Sequence, residues 1–121
     1  MKTLSMIGLF AVALLCVSCG GSPEITVGSG TTPTYTWDSG PVRQLTVIRG
    51  TLESGTTIWA IGASGDEIAS PVTHGTVPSG ATELTQAYTG SPEPVLTAGA
   101  DYQVWLERGE GERVFVDFTA E

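Results

Sequence analysis

Positive charge is scarce in this chain. Five lysine and arginine side chains face thirteen aspartates and glutamates, for a net charge of −8. Such a surface repels nucleic acid and anionic headgroups, so no nucleic-acid partner and no phosphate-binding role is expected. Cysteine is nearly absent too. The two present, Cys16 and Cys19, sit in or at the edge of an N-terminal apolar stretch. The rest of the chain therefore has no disulfide and no thiolate metal cluster, and must rely on its core. Histidine occurs once, at His74. A catalytic histidine needs a nucleophile or carboxylate beside it, and a zinc site normally needs more than one such ligand. A structural or surface role is expected for it.

Other absences narrow the chemistry further. No serine stands in a nucleophile elbow; Ser54-Gly55, Ser64-Gly65 and Ser79-Gly80 read as turns. Calcium needs six to eight converging oxygens. Asp66-Glu67 and the Glu107, Glu110 and Glu112 group lack the spacing, and Arg108 and Arg113 neutralise the second group. Solvated acidic loops are the expectation, with no metal and no cofactor. Nothing singles out a carboxylate pair for glycoside hydrolysis, which leaves a small hydrolase as a remote alternative. Beyond the N-terminus, no apolar helical period persists for three turns.

What is there begins with that N-terminus. Lys2 precedes the run Met6 to Val17, which carries no charge and ends at Ser18-Cys19-Gly20-Gly21. A charged start, a short apolar run and small residues at its end make a secretory leader. The run falls short of the ~20 residues that span a bilayer. Cys16-Val17-Ser18-Cys19 resembles the lipobox of bacterial lipoproteins, with Cys16 where that family usually has leucine. The resemblance implies cleavage after residue 18, lipidation (palmitate among the acyl chains) of Cys19, and anchoring in the membrane. Gly20, not aspartate, follows the cysteine, which in that family points to the outer membrane. Removing residues 1–18 from the 121 leaves 103, enough for one small domain. Without Lys2, four basic side chains face thirteen acidic ones, a balance of −9.

Residues 19–33 read as the lipidated cysteine and a flexible linker with an r.m.s. span of roughly 20 Å, and residues 34–121 as the folded domain. Ile25 and Val27 offer an alternative: a first edge strand. From Thr34 onward, short β-type runs alternate with turn signals, the pattern of an all-β sandwich. Residues 83–88 fit a strand or a single helical turn. The C-terminal hairpin is the clearest. Centred on Glu110, it pairs Tyr102 with Phe118, Val104 with Val116 and Leu106 with Val114 on one apolar face. The other face pairs Trp105 with Phe115 and Glu107 with Arg113, and Arg108 meets Glu112 at the turn. A slip of one residue would reverse every side chain. A second hairpin joins 44–50 to 56–62, with Val47 facing Trp59 and Leu45 facing Ile61.

Leu96-Thr-Ala-Gly99-Ala-Asp-Tyr102 is similar to a signature of fibronectin type III-like and related immunoglobulin-like domains. Ala98 stands where those domains usually have proline. The resemblance implies a single sandwich of about seven strands. It also implies a tyrosine corner, in which the Tyr102 hydroxyl bonds back to the chain a few residues upstream. Trp37 would be the core tryptophan of the second strand. A transthyretin-like sandwich is the alternative architecture. The architecture hosts many unrelated roles, so function is read from the surface. Trp105 and Phe115 should point away from the core face. Left uncovered, they make a binding surface for a glycan or a protein; covered by the linker or a loop, they are core. The expectation is a lipid-anchored, non-enzymatic envelope protein acting in binding, adhesion or assembly. A carbohydrate-binding module is the alternative.

Overall fold

The computed structural model describes residues 23–88, 90–109 and 111–121. The leader and Cys19 lie outside them. Eight strands are present among the described residues: β1 (Ile25–Val27), β2 (Thr34–Trp37), β3 (Gln44–Arg49), β4 (Thr56–Gly62), β5 (Val72–Thr73), β6 (Thr82–Glu83), β7 (Asp101–Arg108) and β8 (Glu112–Thr119). One turn of 3-10 helix spans Thr85–Tyr88. The strands form two antiparallel sheets, ordered β1-β2-β5 and β6-β4-β3-β7-β8, packed as a β-sandwich.

Side-chain alternation explains the packing. On β2, Tyr35 and Trp37 point inward while Thr34 and Thr36 face solvent. They meet Leu45 and Val47 of β3, Trp59 and Ile61 of β4, and Tyr102, Val104 and Leu106 of β7 in one core. Each such side chain contributes roughly 1.5–3 kcal/mol when taken out of water. The alternation fails most on β4, where Ile58 to Gly62 are all buried, and briefly at Val47–Ile48 on β3 and Tyr102–Val104 on β7. A register shift at Val47/Ile48 marks a bulge there. The outer side of β4 is covered by the segment from β6 to Pro94. Leu84 N donates to Ala60 O at 2.7 Å, and Glu93 N donates to Ile58 O at 2.9 Å.

The C-terminal hairpin has the register read from the sequence, from Asp101 opposite Thr119 to Arg108 opposite Glu112. Glu110 lies outside the described residues; Gly109 and Gly111 beside it have positive φ, +57° and +100°. The pairs Val47–Trp59 and Leu45–Ile61 are also present. Residues 83–88 take both forms offered for them, the end of a strand and then a helical turn.

The linker reading of 19–33 needs revision. Ile25, Thr26 and Val27 pair with Trp37, Thr36 and Tyr35. Gly28 N donates to Thr34 O at 2.9 Å, and Leu96 N donates to Thr31 O at 2.8 Å. The edge strand forms because Ile25 and Val27 pack against the core, a gain unavailable to a solvated tether.

Candidate binding surface on the outer face of the larger sheet

Trp105 on β7 and Phe115 on β8 are directly opposite each other, on the face turned away from the core. Their rings stack with centroids 4.5 Å apart and planes 18° apart. They stand face to face, so Phe115 covers one side of Trp105 instead of lying beside it as a second tile. Trp105 is half-buried, while Phe115 is 47% exposed. The Trp105 indole is fixed at its polar end, where Nε1 donates to Gln103 Oε1 at 3.0 Å. Gln103 in turn donates through Nε2 to Asp117 Oδ1 at 2.8 Å. The Arg113 guanidinium carbon lies 5.7 Å from the centre of the Trp105 ring, within cation–π range.

The loop between β3 and β4 completes the surface. Thr51, Leu52 and Glu53 bound a depression of about 250 Å³ with Gln103, Trp105 and Phe115. Leu52 is 50% exposed, so two large apolar side chains, Leu52 and Phe115, meet water here. The sequence reading missed Leu52. Its signal was an apolar residue at the tip of a loop bounded by Gly50 and Gly55, where nothing in the hairpin needs one. A larger depression, about 440 Å³, lies on the other side of Thr51 and is lined by Gly50, Asp101, Tyr102, Asp117, Phe118 and Thr119. Glu53, Glu107 and Asp117 against Arg113 give the whole face an acidic rim. An apolar body with a polar or cationic edge fits it.

The remaining residues singled out in the sequence serve the core. Tyr102 is buried, and its hydroxyl accepts from Thr97 N at 2.9 Å while donating to Glu93 Oε1 at 2.8 Å. Glu93 also pairs with Arg49 at 3.0 Å. Leu96 is buried, and Gly99 has φ +87°, a left-handed conformation that glycine adopts without strain. Trp37 is buried on β2 and donates from Nε1 to Gly40 O at 3.0 Å.

His74 is 2% exposed. Its Nε2 lies 2.7 Å from Glu93 O, which only accepts, so Nε2 carries the proton. Nδ1 then accepts from the Tyr35 hydroxyl at 2.8 Å. Burial pushes the imidazole pKa below its ordinary 6.5, and burial raises that of Tyr35. Both groups stay neutral and structural.

The acidic groups are partly tied up. Asp66 accepts from Gly109 N at 2.9 Å. Glu112 pairs with Arg108 at 3.0 Å, and Glu107 lies 3.9 Å from Arg113. Among the described residues, no group of three or more His, Cys, Asp or Glu is placed to hold a metal ion. No helix among them is long and apolar enough to cross a membrane. No protein-family model, no curated protein and no solved structure matches this chain.

Proposed function

We propose that this chain is a lipid-anchored protein of the bacterial cell envelope. Its fibronectin type III-like sandwich is a non-enzymatic binding module, serving adhesion or assembly at the outer membrane. The observation that carries the binding role is the exposed apolar surface formed by Phe115 on the sheet and Leu52 on the β3–β4 loop around Trp105. Contiguous apolar patches held out in water mark contact surfaces, as singly exposed apolar residues do not. The sequence Val17-Ser18-Cys19 supplies the address, and several acyl chains on Cys19, at ~0.8 kcal/mol per buried CH2, would hold it there.

The strand order supports the sandwich family. β3, β7 and β8 take the places of strands C, F and G in an immunoglobulin-type domain, and β4 that of C′. The Tyr102 bond to Thr97 N belongs to the same pattern. A carbohydrate-binding module is the second reading. The free side of the Phe115 ring, backed by Trp105, favours it, since the apolar face of a sugar ring adds to such a stack.

The test places a photo-crosslinking residue at Leu52 in native envelopes, with Thr36 on the opposite sheet as control. A discrete adduct from Leu52 and none from Thr36 supports the reading. Equal labelling from both positions contradicts it. An adduct that glycosidases remove identifies the carbohydrate alternative.

A further inference from the structure

The two sheets have four edges, and three are short. β1 has three residues, and β5 and β6 have two each. The fourth, β8, has eight, and among the described residues nothing pairs with its outer side. Exposed edges are normally blunted by shortness, charged side chains, proline, a bulge, an inward-pointing charge or a covering segment. β8 has no proline, its register with β7 is unbroken, its inward residues beyond Glu112 are Val114, Val116 and Phe118, and its exposed charges, Arg113 and Asp117, are of opposite sign.

The ladder shows which backbone groups are open. Ala120 N donates to Ala100 O at 3.0 Å, in the register that pairs β8 with β7. On the other side of β7, Gly50 N donates to Asp101 O at 3.2 Å. Antiparallel ladders alternate bonded and non-bonded pairs. The even-numbered residues of β8 therefore bond to β7. The N–H and C=O groups of Arg113, Phe115, Asp117 and Thr119 face the open side.

We infer that β8 pairs with β8 of a second copy of this chain, antiparallel, about a two-fold axis at Phe115. In that register Arg113 faces Asp117 of the second copy, and Asp117 faces its Arg113. Phe115 faces Phe115, and Val114 faces Val116 twice. Three hydrogen-bonded pairs form from the open groups, each exchanging two bonds. The two five-stranded sheets become one, and the Trp105–Phe115 stack continues into its copy across the axis. Charge complementarity selects the partner: a strand that meets this edge in register needs an acid opposite Arg113 and a base opposite Asp117, and β8 itself supplies both. Exposed ion pairs contribute little energy, so they set the register while the backbone bonds and the apolar pairs hold the dimer. This inference does not depend on the anchor, but it gives the free side of the Phe115 ring to a second copy and leaves Leu52 as the part of that surface open to another partner.

Sedimentation equilibrium on the detergent-solubilised full chain tests it. The unsubstituted chain is expected to be a dimer. Arg113→Asp puts like charges opposite each other and should weaken association by at least about tenfold. Arg113→Asp combined with Asp117→Arg should restore it. Circular dichroism checks that each variant is folded. In parallel, Phe115→Cys should give a self-disulfide on mild oxidation, since bonded pairs bring Cα atoms to about 5.5 Å. The unsubstituted chain, with Cys16 and Cys19 alone, is the control. A monomer at every concentration overturns the inference, as does a double variant that stays dissociated. A Phe115→Cys adduct with a different protein overturns it in favour of a foreign strand.

Discussion

The Tyr35 hydroxyl and His74 Nδ1 are 2.8 Å apart in the core, and the hydroxyl is the donor. The imidazole must be neutral for that bond to form, because its other nitrogen already donates to Glu93 O. A protonated ring would present a second donor to the hydroxyl and carry an unpaired buried charge.

Stability should therefore fall in mild acid. The folded-state pKa of His74 lies below 6.5. Below that value the unfolded chain binds a proton that the folded chain refuses, so stability rises with pH across this window and is lost as pH falls. Urea unfolding at pH 7 and pH 5.5 should show a decrease of up to about 1.4 kcal/mol per pH unit. His74→Gln should remove most of that slope, although it lowers stability at both pH values.

Tyr102→Phe should cost about 1–3 kcal/mol, because it leaves Thr97 N and the Glu93 carboxylate without their shared partner. Arg49→Ala should cost less than about 1 kcal/mol, since the Arg49 side chain is 45% exposed. Chemical denaturation of the two variants side by side separates the buried arm of the Glu93 network from the solvated one.

Phe115→Ala should lower stability by less than about 1 kcal/mol, the scale of one cross-strand pair. Trp105→Ala should cost more, because it removes a half-buried ring and strands the Gln103 amide oxygen. Both should reduce capture of an envelope partner. Thermal unfolding combined with the crosslinking yield from Leu52 distinguishes a surface role from a core role for each ring.

Two glycines should respond differently to alanine. At Gly55 a Cβ would lie 2.4 Å from Thr51 O and 2.5 Å from Arg49 O, so the β3–β4 loop must open. At Gly99 there is open space, and the cost is the left-handed backbone alone, about 1–2 kcal/mol. Gly55→Ala should be the more damaging of the two in thermal unfolding, and it should also disturb the surface that Leu52 borders.

The two hairpins were legible because several independent constraints agree. Apolar pairs, charge pairs and turn glycines select one register for Asp101–Thr119, and Leu45 and Val47 do the same against Ile61 and Trp59. Trp105 and Phe115 followed from that register. What stayed hidden depends on contacts distant in sequence. His74 meets Tyr35 across 39 positions and Glu93 across 19, so no local pattern announces its burial. Ile25 and Val27 offer β1 beside the linker reading, and its three residues are too few for a period to decide between them. The run Ile58-Trp59-Ala60-Ile61 signals burial on both faces, but which segment covers it is settled only in three dimensions.

The address of the protein is tested most directly by mass spectrometry of its N-terminal peptide, taken from the membrane fraction of cells that make it. The account predicts a mature chain beginning at Cys19, with acyl chains on that residue. A membrane fraction without the protein, or a peptide in which Cys19 is a free thiol, would contradict it.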